Sequence, residues 1–291
     1  MQGLLPYIIN GISAGGQYAL IAIGYTLVYG ILRLINFAHG DVFMVAGLIM
    51  VYASASMPMY IALPLVIVAT ALLGFLIERA AYKPLRTAPR MSLMISAIGV
   101  SYLIQNLAFY ITGGQPQPVT NPIPWISDTI SVLGASTKRV TLVTPVLTIL
   151  LVLLLVWLTK KTKVGLAMRA ASKDFETAQL MGVKINSVIS FTFVIGSALA
   201  AVGAMLYFTN YPNVAIGSGS MPGLKAFVAA VFGGIGSIPG AVVGAFIIGL
   251  CEELIKAIQP TFSDAFTFVI LIVVLCVKPT GLFGEKVTDK V

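Results

Sequence analysis

Asn36, His39 and Asp41 stand within six positions of one another in the stretch Ile35-Asn-Phe-Ala-His-Gly-Asp-Val-Phe43. An amide, an imidazole and a carboxylate at that spacing can hydrogen-bond a polar solute or stabilise a passing charge. His39 is the single histidine of the chain, and Asp41 is its only carboxylate before Glu78. A metal centre built on His39 lacks a second histidine, so no metal site is expected. Two readings stay open. An Asp at the centre of a membrane helix costs about 2.5–3.5 kcal/mol on insertion scales, which favours a position facing the protein interior or an aqueous path. Alternatively, Asn36, His39 and Asp41 cap a helix starting near Gly40 at the cytoplasmic surface, where an Asp in the first turn is favourable.

Two further stretches could share such a path. Gln105 and Asn106 are adjacent amides inside the apolar run 92–112. Successive helical residues point about 100° apart, so one of the two is expected to face a neighbouring helix. Gly233, Gly234, Gly236, Ser237, Pro239 and Gly240 cannot propagate a regular helix. Bared backbone at membrane depth is tolerated only where protein or a water-filled cavity covers it. The competing reading of 233–240 is a tight cytoplasmic turn flanked by close-packing glycines. The segment Ile35–Ala46 also echoes Ile235–Phe246, with Ile, Gly and Val coinciding at an offset of 200, so an internal repeat is one reading.

The elements that must position these groups are membrane helices. The 291-residue chain is 58% hydrophobic and only 10% charged, with a mean hydropathy of +0.98. A soluble domain carries about 25% charged residues, so the bilayer is this chain's solvent. Apolar segments fall near 4–31, 41–56, 59–77, 92–112, 140–158, 188–208, 223–234, 240–256 and 262–277. Segment 223–234 is too short to cross and reads as a half-helix or re-entrant piece. The expected fold is all-α and polytopic, a single transmembrane domain over 1–291 with about eight or nine transmembrane or re-entrant helices and broken helices at its centre. Cys251 and Cys276 lie in apolar runs and read as buried hydrophobes.

Thirteen of the 18 Lys and Arg cluster in 78–91, 159–187 and 278–291. The positive-inside rule assigns these to the cytoplasm, and 113–139 and 209–222 to the outside. Nine crossings place the N-terminus outside. Charge placed this way marks membrane topology rather than a nucleic-acid surface. The Pro-rich stretch Gly113–Pro124 reads as an irregular external segment. Within Lys163–Val188, Ser172 is the expected N-cap of a cytoplasmic helix, with Asp174 and Glu176 in its first turn. Phe175, Ala178 and Met181 recur every third residue as an apolar stripe, and Gly182 ends the helix. Such a short helix needs a partner surface.

Catalytic signatures are weak. Gly11-Ile-Ser13-Ala-Gly15 fits GxSxG but lies in an apolar helical span, so a hydrolase pairing Ser13 with His39 is disfavoured. Gly234-Ile-Gly236 fails as a dinucleotide fingerprint because Pro239 follows. No Gly-Lys dipeptide occurs, which excludes a P-loop. If the chain drives transport with ATP, the motor sits on a separate subunit.

Long ungapped blocks of the sequence are specific: Asn10-Gly11, Tyr18 to Tyr25, Ile35 to Gly40, Glu78-Arg79, Tyr82 to Pro84 and Ser96 to Gly99. They continue through Gly165, Arg169-Ala170, Gly182, Phe191 to Gly196, Met221 to Phe227, Gly233 to Gly240 and Pro279 to Gly281. In these blocks the chain resembles the permease subunits of bacterial ABC importers for branched-chain amino acids, and the likeness is to the shorter of two paired permeases. It implies a multi-pass protein of the bacterial inner membrane, working with a second, longer permease, two cytoplasmic ATPase subunits and a periplasmic substrate-binding protein. It implies import of leucine, isoleucine or valine; related systems carry urea, short amides or other amino acids. No cofactor is expected in this chain, ATP and Mg being held by the partners. The region Gly165–Gly182, including Arg169 and Ala170, is implied to dock on the ATPase. A gradient-driven secondary transporter is the competing class.

Overall fold

The structure, a computed structural model, describes residues 3–86, 88–120, 123–132 and 135–284. Lys286 and Lys290 of the basic tail lie outside the described residues. Eight helical stretches among the described residues are long and apolar enough to cross a membrane. In chain order the helices are α1 (Leu5–Leu32), α2 (His39–Ser56), α3 (Met59–Ile77) and α4 (Arg90–Thr112). Then follow α5 (Pro124–Ser127), α6 (Arg139–Lys161), α7 (Lys163–Lys173), α8 (Phe175–Leu180) and α9 (Ile185–Asn210). The chain closes with α10 (Ser220–Gly233), α11 (Ile238–Ile258) and α12 (Ser263–Val277). A π-helical turn, Glu78–Tyr82, extends α3.

Helix α1 is the axis of the molecule. It is apolar all round and buried for most of its length, as a helix surrounded by other helices should be. It runs antiparallel to α11, with Gly11 and Gly15 set against Leu250 and Phe246. A methyl group at Gly15 would stand 2.7 Å from the Phe246 Cα, so the glycines set the closeness of that crossing. The GxSxG match is thus a helix-packing face. Ser13 lies eleven residues from Gly24, the level at which His39 packs, which is about 16 Å along the helix. The hydrolase pair is not assembled.

Helix α1 is also antiparallel to α9: Gly24 meets Gly196, and Gly203 meets Leu20. Packing around this pair repeats. α10 lies on α1 as α2 lies on α9; α11 packs on α1 as α3 packs on α9; α10 touches α11 and α12 as α2 touches α3 and α4. The main contacts of α1–α4 therefore have counterparts in α9–α12, with the direction through the membrane reversed. This is an inverted repeat. It does not follow the offset of 200. The break at 33–38 corresponds to 211–219, whereas Ile235–Phe246 is the turn into α11, whose counterpart is the turn before α3. The matching Ile, Gly and Val are a coincidence of a small apolar alphabet.

The basic segments share one end of the bundle. There Ser190 of α9 donates to Glu78, Gly236 approaches Gly30, and Phe283 and Leu282 bond the last carbonyls of α10. At the opposite end the loops are more regular than Gly113–Pro124 suggested. Strand β1 (Gln117–Pro118) pairs antiparallel with β4 (Asn213–Val214), and β2 (Thr129–Val132) with β3 (Ala135–Lys138). Prolines are tolerated here because Pro118 sits on a two-stranded edge. Counting 211–233 as one traverse, the described chain crosses nine times and places the Leu5 end of α1 opposite the basic end.

Candidate functional site

Two helices begin in the middle of the bundle instead of at its surface. Arg33 ends α1 in a left-handed conformation (φ 55°), its amide bonded to Tyr29. The chain then folds back over 34–38 and starts α2 at His39. His39 packs into the notch left by the missing side chain of Gly24, its ring edge-on to Tyr25 at 4.9 Å. Gly24 lies eight residues inside the end of α1, so α2 starts about 12 Å within the bundle. From the other side, 211–219 descends from the end opposite the basic segments and α10 starts at Ser220. Its 14 residues span about 21 Å, short of a bilayer's hydrocarbon core.

The first turns of α2 and α10 meet. A methyl at Gly40 would stand 2.8 Å from the Gly219 carbonyl, and one at Gly223 would stand 2.9 Å from the Gly40 Cα. The helices then diverge, α2 toward the end opposite the basic segments beside Phe208 and α10 toward the basic end beside Gly240 and Gly244. A cavity of about 200 Å³ opens where they part. Its walls come from α1 (Tyr25), the re-entrant stretch (Ile35, Phe37), α2 (Gly40, Asp41), α4 (Ser101, Gln105) and α10 (Ser220, Leu224, Phe227).

Asp41 supplies the cavity's only charge among its lining residues. The carboxylate is buried. Its Oδ2 accepts from Ser101 Oγ at 2.5 Å and its Oδ1 from Gln105 Nε2 at 2.9 Å. Asp41 is thus in the first turn of α2, as the capping reading has it, and at membrane depth on a cavity, as the path reading has it. The capping reading is otherwise not met: α2 has no side-chain cap at its start, and Asn36 and Asp41 bond Tyr82, Ser101 and Gln105 instead. Asn36 is buried behind the cavity, where Oδ1 accepts from Tyr82 OH at 2.9 Å. Tyr82 belongs to the π-helical turn, and Glu78 of that turn accepts from Ser190 Oγ at 2.6 Å and pairs with Arg86. The re-entrant stretch is therefore tied to the basic end of the bundle.

Other sequence candidates fall elsewhere. Gln105 faces the cavity, whereas Asn106 is exposed on the far side of α4 and bonds the Tyr102 carbonyl. Gly233, Gly234, Gly236, Ser237 and Gly240 form the turn between α10 and α11, away from the cavity lining. Ser237 caps α11 through the Gly240 amide, and Gly234 packs on Phe283 and Gly284.

In segment 159–187 the N-cap of the second helix is Asp174, not Ser172. α7 continues through Lys173, and Asp174 Oδ1 accepts from the amides of Glu176 and Thr177. Asp174 Oδ2 also accepts from Thr177 Oγ1, whereas Ser172 lies inside α7 and bonds back to the Arg169 carbonyl. Thr162 caps α7 through Gly165, which sits against the carbonyls of Leu158 and Thr159. Arg169 also donates to Thr159, and Ala170 is half-buried on α7, so this part of the segment is braced on α6. The stripe divides in the fold: Ala178 is buried, while Phe175 and Met181 are exposed, joined by Leu180 at 87% exposure. Gly182 ends the helix at φ 86°.

Sequence reasoning passed over a second polar centre. Lys225 of α10 pairs with Glu252 of α11 at 2.8 Å and with Asp264 of α12 at 2.6 Å. Glu252 also accepts from Lys256 and from Tyr18 OH, and Lys256 reaches Glu253. A lysine in a 14-residue apolar helix and a Glu-Glu pair four and three residues before Lys256 were the available signals.

Comparisons with known proteins place the sequence among transport permeases. The family model described as branched-chain amino acid transport system, permease component, matches residues 7–275. The chain is 37% identical to the high-affinity branched-chain amino acid transport permease BraD of Pseudomonas aeruginosa, over 99% of this chain and 98% of the relative. It is 39% identical to the permease LivH of Escherichia coli K12, over 99% and 97% respectively. No solved structure matches the chain.

Proposed function

The chain belongs to the family of branched-chain amino acid transport permeases, and we propose that it forms one wall of the route by which an ATP-driven importer moves leucine, isoleucine and valine into the cell. It is a multi-pass transport subunit, with no nucleotide-binding motif of its own. In this reading a second, longer permease completes the route in the bacterial inner membrane. Two cytoplasmic ATPases holding ATP and Mg drive it, and a periplasmic binding protein delivers the substrate.

The observation that carries the reading is the cavity where α2 and α10 begin at membrane depth. Asn36, His39, Asp41 and Gln105 gather at or behind it. Half-helices meeting at the midplane are how transporters present polar groups to a solute without baring backbone to lipid. Segment 159–187 carries the coupling role. Gly165, Arg169 and Ala170 hold its first helix on α6, and Phe175, Leu180 and Met181 present an apolar surface to the ATPase. The 233–240 turn closes the inner end of the path, and Asn106 faces outward to a neighbouring membrane chain. ATP binding pulls on α8, and the half-helices rearrange to alternate access.

Reconstitution of all subunits in liposomes tests this. Leucine uptake is expected only with ATP, the binding protein and the ATPases present; gradient-driven flux through the permeases alone would overturn the reading. Phe175→Asp is expected to uncouple ATPase stimulation while leaving affinity for the binding protein intact, and undiminished uptake in that variant would remove the docking role.

A further inference from the structure

The importer reading leaves open what the single carboxylate of the cavity does. Asp41 is 3% exposed, and no Lys or Arg among the described residues forms an ion pair with it. Its two bonded partners, Ser101 and Gln105, are neutral. A carboxylate has about four lone-pair sites, and those two donors occupy one on each oxygen. The adjacent imidazole packs away from Asp41, in the Gly24 notch against Tyr25. The positive end of α2 offsets part of the cost of burying this anion, no basic side chain offsets the rest, and intramembrane carboxylates of this kind mark substrate or ion pathways. Across the cavity stand Phe37, Leu224 and Phe227, a wall for an aliphatic group.

We propose that Asp41 receives the ammonium group of an aliphatic α-amino acid as it passes between α2 and α10, with Ser101 and Gln105 holding the carboxylate toward the cavity. The site rests on the importer reading given above. It reads the charge common to all amino acids, while the apolar wall accepts the side chain. An uncharged solute such as urea or a short amide gains nothing from it.

The test uses the assembled importer without binding protein, with Cys251 and Cys276 replaced by Ala and Ser220→Cys placed in the cavity as a reporter. The rate of its labelling by methyl methanethiosulfonate is measured with leucine, leucinol or 4-methylpentanoate present at equal concentration. Leucine and leucinol, which carry an ammonium group, are expected to slow labelling several-fold. 4-Methylpentanoate, which lacks one, leaves the rate unchanged. Asp41→Asn removes the protection and Asp41→Glu restores part of it. Equal protection by 4-methylpentanoate, or protection that survives Asp41→Asn, overturns the proposal. So does a complex that imports leucine with its binding protein yet shows no protection by any of the three. A complex that imports no leucine at all overturns the function beneath it instead.

Discussion

The two half-helices are equivalent by position and opposite in electrostatics. α2 carries Asp41 in its first turn, bonded to neutral groups and facing a cavity. α10 carries Lys225 in its second turn, held between Glu252 and Asp264, with Lys256 and Tyr18 completing the network. Both contacts join the half-helix to the outlying helices of its own repeat, α4 in one case and α11 and α12 in the other. The difference teaches which polar centre is a brace. Around Lys225 every charge has a partner, so the network fixes α10 against α11 and α12. Around Asp41 the anion is left to the cavity. An inverted repeat has thus kept its geometry while one copy has closed its polar centre and the other has left it open.

Removing one partner from the closed centre gives the largest expected effect. Lys225→Met leaves Glu252 with Lys256 and Tyr18 and leaves the half-exposed Asp264 to solvent, and is expected to destabilise the permease by about 1.5–3 kcal/mol, the loss of a charge-assisted bond. Thermal unfolding of the detergent-solubilised complex measures it. Lys225→Met combined with Glu252→Gln is expected to recover much of that loss, because a buried pair exchanged for neutral groups is often tolerated. No recovery would show that the network does more than brace. A smaller effect sharpens the link between the open centre and the basic end. Tyr82→Phe removes a single hydrogen bond to Asn36 and should cost about 1 kcal/mol. The loss should show as faster proteolysis or hydrogen exchange confined to 33–38. Uniform destabilisation would mean that Asn36 does not anchor the re-entrant stretch. The smallest effect separates two neighbours on α4. Asn106→Leu, on the exposed face, should change unfolding of the isolated permease by under about 0.5 kcal/mol. A large change would contradict its placement away from the cavity.

Much of the fold was legible in the sequence because membrane spans depend on length and average hydropathy. The segments near 59–77, 92–112 and 262–277 coincide closely with α3, α4 and α12, and the shortness of 223–234 already marked α10 as unable to cross. The repeat was not legible at the right register. Helices that reverse direction are equivalent by what they pack against, and small apolar residues carry little identity. Asp41 stood out as a lone carboxylate in an apolar run, yet its partners Ser101 and Gln105 lie 60 and 64 residues away and depend on the rotation of α4. That rotation also decides between Gln105 and Asn106. Lys225 and Glu252 were hidden by averaging over apolar windows, and Tyr18 meets Glu252 across 234 residues. The cap of α8 moved from Ser172 to Asp174 because α7 and α8 are two helices with one residue between them, a break that hydropathy does not mark.

The most direct test of the open centre is ATP-driven leucine uptake by reconstituted importer carrying Asp41→Asn, a change that keeps the shape, with the amide oxygen accepting from Gln105 Nε2 and the amide nitrogen donating to Ser101 Oγ. The variant is expected to assemble as well as the unaltered chain. Its uptake should fall by about tenfold or more, the loss of a charge-assisted contact of about 1.5–3 kcal/mol. Uptake within about twofold of the unaltered chain, a difference below about 0.5 kcal/mol, would contradict the account.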